Sequence, residues 1–555
     1  MMAARRLTLC HAATLLALAH LAPQALAQRA PDAGQVLQQM QPVQAAPQGG
    51  SAFELALPSN DKPVASGGPT VTLNRVEIRG NTVIATDTLL GVLGDVRGRP
   101  FDLAGLRSLT QAVTAHYRAS GYPFARALLP AQPLTDGVLQ IEVVEGRYGQ
   151  ITVRTDDARL AAQAQRFLAG LQPGAVIDSA SLERAILLLD DQPGVQPAPL
   201  VRPGQAAGTG DLEVSLTRTA RVAGEVGLDN TGNRYTGANR ARFNLDVFSP
   251  FTLGDQLSLR TLMTERDTWF GSVDYQVPLG ANGWRAQAGY SRSAYALGKE
   301  FATLDATGTA SVGNVGLSYA LVRSQRFNAA LAGQYLHKQL VDRQGATDSR
   351  SDKSSDTLPL TLRFDLRDGL GQGGITFGAV TWTVGKLQLD ATSRAMDAAT
   401  GRTQGRFEKL NVDLARIQAL PGAWSVYARV SAQWTGDNLD SSEGFGLGGV
   451  SGVRAYPSGE AYGDRGWVGQ AELRYAAGNL MPYVFHDTGR VTRNARPWST
   501  GDNARTLGGG GIGVRAQAGN WSVDASAAWR TAGGAAKSDG LQRAPMVWVT
   551  AGYRF

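Results

Sequence analysis

The last nine residues, Val547-Trp-Val-Thr-Ala-Gly-Tyr-Arg-Phe555, decide how this chain is read. Successive side chains of a strand point to opposite sides, so Val547, Val549, Ala551, Tyr553 and Phe555 share one face. Moving back along the chain, the pattern returns. Trp467, Ala471, Leu473 and Tyr475 oppose Gln470, Glu472 and Arg474, while Leu360, Leu362, Phe364 and Leu366 oppose Arg363, Asp365 and Arg367. Ala241, Phe243, Leu245 and Val247 oppose Arg240, Arg242, Asn244 and Asp246. Val222, Gly224, Val226 and Leu228 oppose Arg221, Glu225 and Asp229. No helix-period segment is expected beyond about Arg221. A sandwich in water also alternates, but its strands run about five or six residues. These are longer, close to the ~9–11 residues of lipid-crossing strands. Aromatics gather towards strand ends at Trp269, Tyr275, Trp284, Tyr290, Trp382 and Tyr427, as a membrane girdle requires. Sixteen such segments fit between residues 221 and 555, an even number as in single-chain bacterial barrels. The expected fold over 220–555 is a transmembrane β-barrel of 16 antiparallel strands, enclosing water unless something fills it.

Upstream the pattern changes. Arg5-Arg6, an apolar run from Leu7 to Ala22, and Ala25-Leu26-Ala27 read as a signal peptide over 1–27. The single cysteine, Cys10, falls inside it, as do His11 and His20. Residues 28–70 combine a short amphipathic helix, with Asp32 as N-cap, and a Pro-, Gln- and Gly-rich linker. Two small α/β modules are expected at 71–147 and 150–219. The first reads as a strand over Val71–Ile78, a helix from about Asp102 ended by Gly121 and Pro123, and strands near Ala125–Leu129 and Val138–Val144. The second reads as strand Ile151–Arg154, helices over 158–171 and 179–190, and strands near Gln196–Val201 and Asp211–Thr217.

Other chemistry is set aside on spacing. His116, His337 and His486 lie over a hundred residues apart and have no ligand pattern, so no metal is expected. Gly508-Gly-Gly-Gly-Ile-Gly513 matches a dinucleotide fingerprint only formally, because Val514, Ala516 and Ala518 continue a strand and no helix follows. Asp190-Asp191 sits at a helix end, where it solvates that end. The formal charge of +7 is dispersed, without a basic run, so no nucleic-acid partner is expected. No catalytic residue and no cofactor is expected.

Between Asp437 and Gly466 the chain carries eight glycines, including Gly448-Gly-Val-Ser-Gly-Val-Arg-Ala-Tyr-Pro-Ser-Gly459. No helix N-terminus accompanies this stretch, so it does not read as a phosphate cradle. A loop of this length and composition can instead fold back into a wide lumen. An arginine carried in with it needs a carboxylate, because an unpaired buried charge costs several kcal/mol.

These residues resemble two-partner secretion outer-membrane transporters, the haemolysin and filamentous-haemagglutinin secretion proteins of the POTRA-bearing barrel superfamily. The resemblance rests on Asp32–Met40, Gly121-Tyr-Pro-Phe-Ala-Arg126, Val143-Val-Glu-Gly-Arg147 and Gly227-Leu-Asp-Asn-Thr-Gly-Asn-Arg234. It rests also on Val453-Arg-Ala-Tyr456, Phe485-His-Asp-Thr-Gly489 and the C-terminal Phe555. It implies a plug helix at about 32–44, two periplasmic POTRA domains, and a long extracellular loop (438–466) carrying the motif Val453, Arg454, Ala455, Tyr456. Ala455 stands at the usual glycine of that motif and penalises a positive φ. The resemblance further implies a loop–barrel ion pair between Arg454 and Asp487, within a strand motif of Phe485, Asp487 and Gly489. Strict alternation puts Asp487 on one face with Tyr483 and Phe485, opposite Val484 and His486, and Gly489 marks a bulge or a close backbone approach. The implied function is export of a dedicated large exoprotein, recognised through its N-terminal secretion domain. The resemblance also implies outer-membrane lipid around the barrel and a barrel assembly machinery that reads the C-terminal strand ending at Phe555. An assembly factor for other barrels and a diffusion porin are the alternatives; the porin gives residues 71–219 no role.

Overall fold

The computed structural model describes residues 30–40 and 66–555. The signal segment with Cys10, most of the linker, and residues 41–44 of the expected plug helix lie outside them. Helix α1 (Ala33–Met40) comes first, and the Gln35 N–H donates to Asp32 Oδ1 at 3.0 Å, so Asp32 caps it.

The first module contains β1 (Val71–Leu73), β2 (Arg75–Arg79), α2 (Thr86–Leu93), β3 (Arg99–Phe101), α3 (Leu103–Ala119), β4 (Arg126–Leu128) and β5 (Val138–Val144). The single strand expected over Val71–Ile78 is in fact two. The Asn74 N–H turns to the Gly137 carbonyl at 2.8 Å, so β1 pairs with β3 while β2 pairs with β5. Helix α2 escapes sequence reading because it has no side-chain cap and buries only Leu89 completely. The module's sheet runs β2-β5-β4, leaving β4 at an edge. Leu106, Leu109, Val113 and Tyr117 of α3 pack on its face.

The second module contains β6 (Arg147–Arg154), α4 (Ala158–Gln165), α5 (Ser179–Asp190), β7 (Val195–Pro203) and β8 (Thr209–Arg218). Its sheet order is β6-β8-β7. The strand over Asp211–Thr217 is therefore central, paired on both sides, and has no free edge.

The barrel comprises β9 (Val222–Asp229), β10 (Arg240–Phe248), β11 (Gln256–Thr264), β12 (Trp269–Pro278), β13 (Trp284–Ala296), β14 (Ala306–Arg323), β15 (Phe327–Gln344) and β16 (Ser349–Asp368). It continues through β17 (Gly374–Leu389), β18 (Gly405–Ala419) and β19 (Trp424–Thr435). A two-stranded hairpin, β20 (Phe445–Gly446) with β21 (Tyr462–Gly463), then interrupts it within the long loop. The wall resumes with β22 (Arg465–Tyr475), β23 (Leu480–Thr492), β24 (Ala504–Ala518), β25 (Trp521–Ala532) and β26 (Met546–Arg554), which pairs back onto β9. Sixteen wall strands thus close on themselves, satisfying every ladder without an edge in lipid. One helix does occur beyond Arg221, α6 (Ala391–Ala399), in the loop after β17. Asp390 caps it by accepting from the Thr392 and Ser393 N–H groups, at 2.9 Å each, a local device that needs no long periodicity.

Of the C-terminal face, Val547, Val549 and Phe555 are exposed outward, whereas Met546 and Trp548 of the opposite face are buried. Ring pairs Trp284–Tyr319, Trp424–Tyr475 and Trp521–Tyr553, with centroids 4.7–4.9 Å apart, form the girdle at the short-turn end. Tyr427, expected in a girdle, faces the lumen instead, with the Arg474 guanidinium 4.3 Å above its ring.

The second module docks on this short-turn end. Arg184 donates to the Ala320 carbonyl at 2.8 Å, Asp191 pairs with Arg323 at 2.7 Å, and the Gln325 N–H donates to Glu183 at 2.7 Å. Asp191 is thus an ion-pair partner of the wall. The long loops, including 436–464, emerge at the opposite end.

Candidate functional site

The loop between β19 and β22 turns back into the lumen. Its neck is the β20–β21 hairpin, extended by the Leu447 N–H donating to the Ala461 carbonyl at 3.0 Å. Beyond the neck a tight knot forms: the Val453 N–H donates to the Leu447 carbonyl at 2.7 Å, and the Tyr456 N–H to the Val453 carbonyl at 3.0 Å. Val453, Ala455 and Tyr456 are all buried against β22–β25, with Leu447, Phe485 and Leu507. The Tyr456 hydroxyl bonds the carbonyls of Ala532 at 2.6 Å and Gly534 at 2.8 Å.

Arg454 points from this knot at the barrel wall. Its Nε and Nη2 reach Asp487 Oδ2 and Oδ1 at 2.8 and 2.7 Å, and its own N–H donates to Oδ2 at 3.0 Å. Nη1 reaches Glu472 Oε1 at 2.6 Å, and the guanidinium lies 3.6 Å from the Phe485 ring centroid. Asp487 is completely buried. Glu472 also binds Arg474 at 2.7 Å and Arg515 at 3.0 Å, and Arg515 binds Asp524 at 2.9 Å. Three arginines (454, 474, 515) thus meet three carboxylates (472, 487, 524), so the cluster is formally neutral. A bidentate, hydrogen-bonded pair on an aromatic face is the arrangement that offsets the cost of desolvating a guanidinium.

Alternation on β23 explains the company Asp487 keeps. Tyr483, Phe485, Asp487 and Gly489 all face the lumen, and Val484 and His486 face outward. The aromatics are inside because they stack under arginines: Arg515 lies 4.2 Å from the Tyr483 centroid. Gly489 sits in unbroken register and marks a close approach, since a Cβ there would lie 2.7 Å from the Trp467 carbonyl oxygen. The Gly508–Gly513 run is also placed. A Cβ at Gly511 would lie 2.6 Å from the Phe485 ring, and one at Gly509 would lie 2.4 Å from Ala455 Cβ. Bare backbone on β24 makes the floor on which the loop knot rests. Ala455 itself is not in the left-handed region, so the penalty on a positive φ does not arise.

The sequence did not single out Glu472 or Trp548 for this site. Trp548 Nε1 donates to the Arg454 carbonyl at 2.7 Å. Its place on the inward face of the C-terminal strand was the available signal.

Comparison with known proteins fits this geometry. Residues 208–516 match the model of the haemolysin secretion/activation protein ShlB/FhaC/HecB family, over half of the chain, and residues 71–146 match the ShlB-type POTRA domain. The chain belongs to the ShlB/FhaC/HecB family. Among relatives of this ShlB-type transporter is the heme/hemopexin transporter protein HuxB of Haemophilus influenzae, 25% identical over 474 residues, covering 82% of this chain and 83% of that one. Another is the outer membrane transporter CdiB of Dickeya dadantii, 25% identical over 472 residues and 80% of each chain. The solved structure of CdiB from Escherichia coli has a TM-score of 0.73 at 21% identity, covering 91% of this chain and 94% of that one. The barrel therefore sits in the outer membrane with its POTRA modules in the periplasm, and the long loops are extracellular.

The transporter's lumen holds a second element, helix α1. The Ala33 N–H donates to Asp342 Oδ1 at 2.8 Å, and Asp32 accepts from Ser441 Oγ at 2.6 Å and lies 3.4 Å from Lys353 Nζ. Lys353 also binds Asp440 at 2.8 Å. Gln39 Nε2 donates to the Tyr462 hydroxyl at 3.2 Å, and Gln38 to the Ser442 carbonyl. Ala33, Val36 and Leu37 pack against Tyr295 and Leu340 of the wall and Tyr235 of the β9–β10 loop. Helix and loop therefore touch each other as well as the barrel.

Proposed function

We propose that this transporter exports a dedicated large exoprotein of adhesin or haemolysin type by two-partner secretion. The observation that carries the reading is what fills its lumen: one short helix and one folded-back loop, each held by polar contacts, inside a closed sixteen-strand wall. A lumen filled this way can be emptied without unfolding the wall. The periplasmic modules capture the extended N-terminal secretion domain of the exoprotein. Strand β4 is the element suited to β-augmentation, being a sheet edge; the Thr114 hydroxyl of α3 accepts from the Ala127 N–H at 2.9 Å, so an incoming strand takes the place of that contact. The cargo then passes a lumen bearing charges of both signs, and its folding outside draws it forward. Arg454 tethers the loop to Asp487 through this cycle, α1 shifts or leaves, and the strand ending at Phe555 is read by the barrel assembly machinery when the protein is inserted.

Deletion of the gene, followed by proteomic comparison of culture supernatant and outer membrane, tests the reading. Loss of one large secreted protein with other barrels intact supports it. A general loss of outer-membrane barrels makes the protein an assembly factor, and changed solute uptake alone makes it a porin.

A further inference from the structure

The outer wall carries a feature the transport reading does not use. At the extracellular end, a cavity of about 320 Å³ opens on the lipid-facing side across β17, β18, β19 and β22. Trp382, Leu410 and Trp434 lie side by side in register across three strands and form its apolar base. Arg465 stands at the next strand, its Nε donating to the Thr435 carbonyl at 2.5 Å. Among the described residues, no carboxylate lies within 4 Å of that guanidinium. One strand further on, Arg490 projects from the same outer face, directly opposite Trp467, and is exposed. It too has no carboxylate within 4 Å among the described residues. Cross-strand diagonal neighbours of this kind stand about 7–8 Å apart, close enough for two long side chains to hold one anion.

Most arginines inside the barrel are paired with carboxylates, so these two are set apart by what faces them: lipid headgroups. Tryptophans at the interface with guanidinium groups above them match a molecule with acyl chains below and an anion above. Phosphate suits the forked geometry of arginine. Glu408, exposed on the far rim, confines the anion to the β22–β23 side and offers an acceptor for hydroxyl or amide donors. We propose that this wall binds a phosphorylated glycolipid of the outer leaflet, its phosphate on Arg465 and Arg490, its sugar towards Glu408, and an acyl chain over Trp382, Leu410 and Trp434.

The full chain, purified and delipidated in detergent, is titrated with diphosphoryl lipid A and read by native mass spectrometry. One lipid per chain is expected, with the R465Q/R490Q double variant binding about tenfold or more weakly, as loss of two charge-assisted contacts at a membrane surface implies. Retained heat-modifiable gel mobility of the variant shows the barrel intact. With the wild-type protein alone, fully dephosphorylated lipid A is expected to bind as weakly as the variant binds the intact lipid. Phosphatidylglycerol is expected to compete poorly, and E408Q to narrow that gap. Equal binding of phosphorylated and dephosphorylated lipid, equal competition by phosphatidylglycerol, or many lipids bound regardless of the substitutions would each overturn the proposal.

Discussion

At the scale of single residues, Arg454 answers to two carboxylates, which changes what its substitution should do. Asp487→Asn removes the bidentate partner of a buried guanidinium, a loss of about 3–5 kcal/mol in loop anchoring. Trypsin should then cut the detergent-solubilised protein after Arg454, where the wild type resists, and secretion should fall. An Arg454→Asp/Asp487→Arg swap should restore only part of it, because the new carboxylate would meet Glu472 and the negative face of Phe485. Adding Glu472→Gln to the swap should recover more secretion than the swap alone, and no difference between the two would remove Glu472 from the anchor. A second contact is steric. Gly509→Ala should clash with Ala455 Cβ and cost roughly 1–3 kcal/mol, the usual penalty of overpacking, read as a lower barrel melting temperature. Ala455→Gly on the same chain should relieve it. Alternation placed Asp487 with Tyr483 and Phe485 correctly from sequence, because parity is a local property. Glu472 was legible only as one polar residue on a polar face. Its role depends on how deep the loop knot sits, which no local pattern records.

At the scale of elements, the strands were the easiest part to read and the small connecting pieces the hardest. Lipid on one face and water on the other enforce period two along the whole wall, so even the strand count follows from the sequence. Helix α2, which lacks a side-chain cap, the break at Asn74 and the cap of α6 rest on a few local contacts and leave no periodic trace. The central position of β8 was illegible for another reason: strand order in a small sheet is set by tertiary packing. Two elements yield predictions. In the first module the buried Glu145 accepts from the Val83 N–H at 2.9 Å and the Tyr117 hydroxyl at 3.1 Å, and also from Thr82. Burial alone would raise its pKa, but these donors, Thr82 foremost, hold it below the ordinary carboxylate value. A depressed folded-state pKa contributes stability above the unfolded value of about 4.3 and loses it as pH falls through the folded one. Protection of the Thr82 and Val83 amides from hydrogen exchange should therefore collapse below about pH 4, and Glu145→Gln should weaken it already at pH 7 by about tenfold, the loss of one charge-assisted bond. Helix α1 supplies the second. A Cβ at Gly34 would lie 2.4 Å from Ser441 Oγ and 2.5 Å from the Ser442 nitrogen, so Gly34→Val cannot keep the helix in place. Its single-channel conductance in planar bilayers should exceed that of wild type, with the barrel still folded.

At the scale of the whole molecule, the question is whether the lumen must lose its helix for cargo to pass. The wall cannot widen cheaply, because each strand is paired on both sides around the closed sheet. Space for an extended chain must therefore come from the contents. Loop 436–464 is tied to β22–β26 by a neutral ionic cluster, the Tyr456 hydroxyl shared between two carbonyls, and Trp548. Helix α1 is eight residues long and held mainly by its capped end and by the loop. The weaker attachment should yield first, which makes α1 the element that moves while the loop stays. Gln39 and Tyr462, whose side chains meet at 3.2 Å, are positioned to test this order. The only native cysteine is Cys10, so a Gln39→Cys/Tyr462→Cys protein offers a defined pair outside the expected signal segment. Joining them with a short reducible thiol cross-linker should stop secretion and hold conductance at the resting level, and reductant should restore both. Secretion at the wild-type rate with the cross-link complete would mean that cargo passes beside a seated helix, and the loop would then have to be the part that gives way.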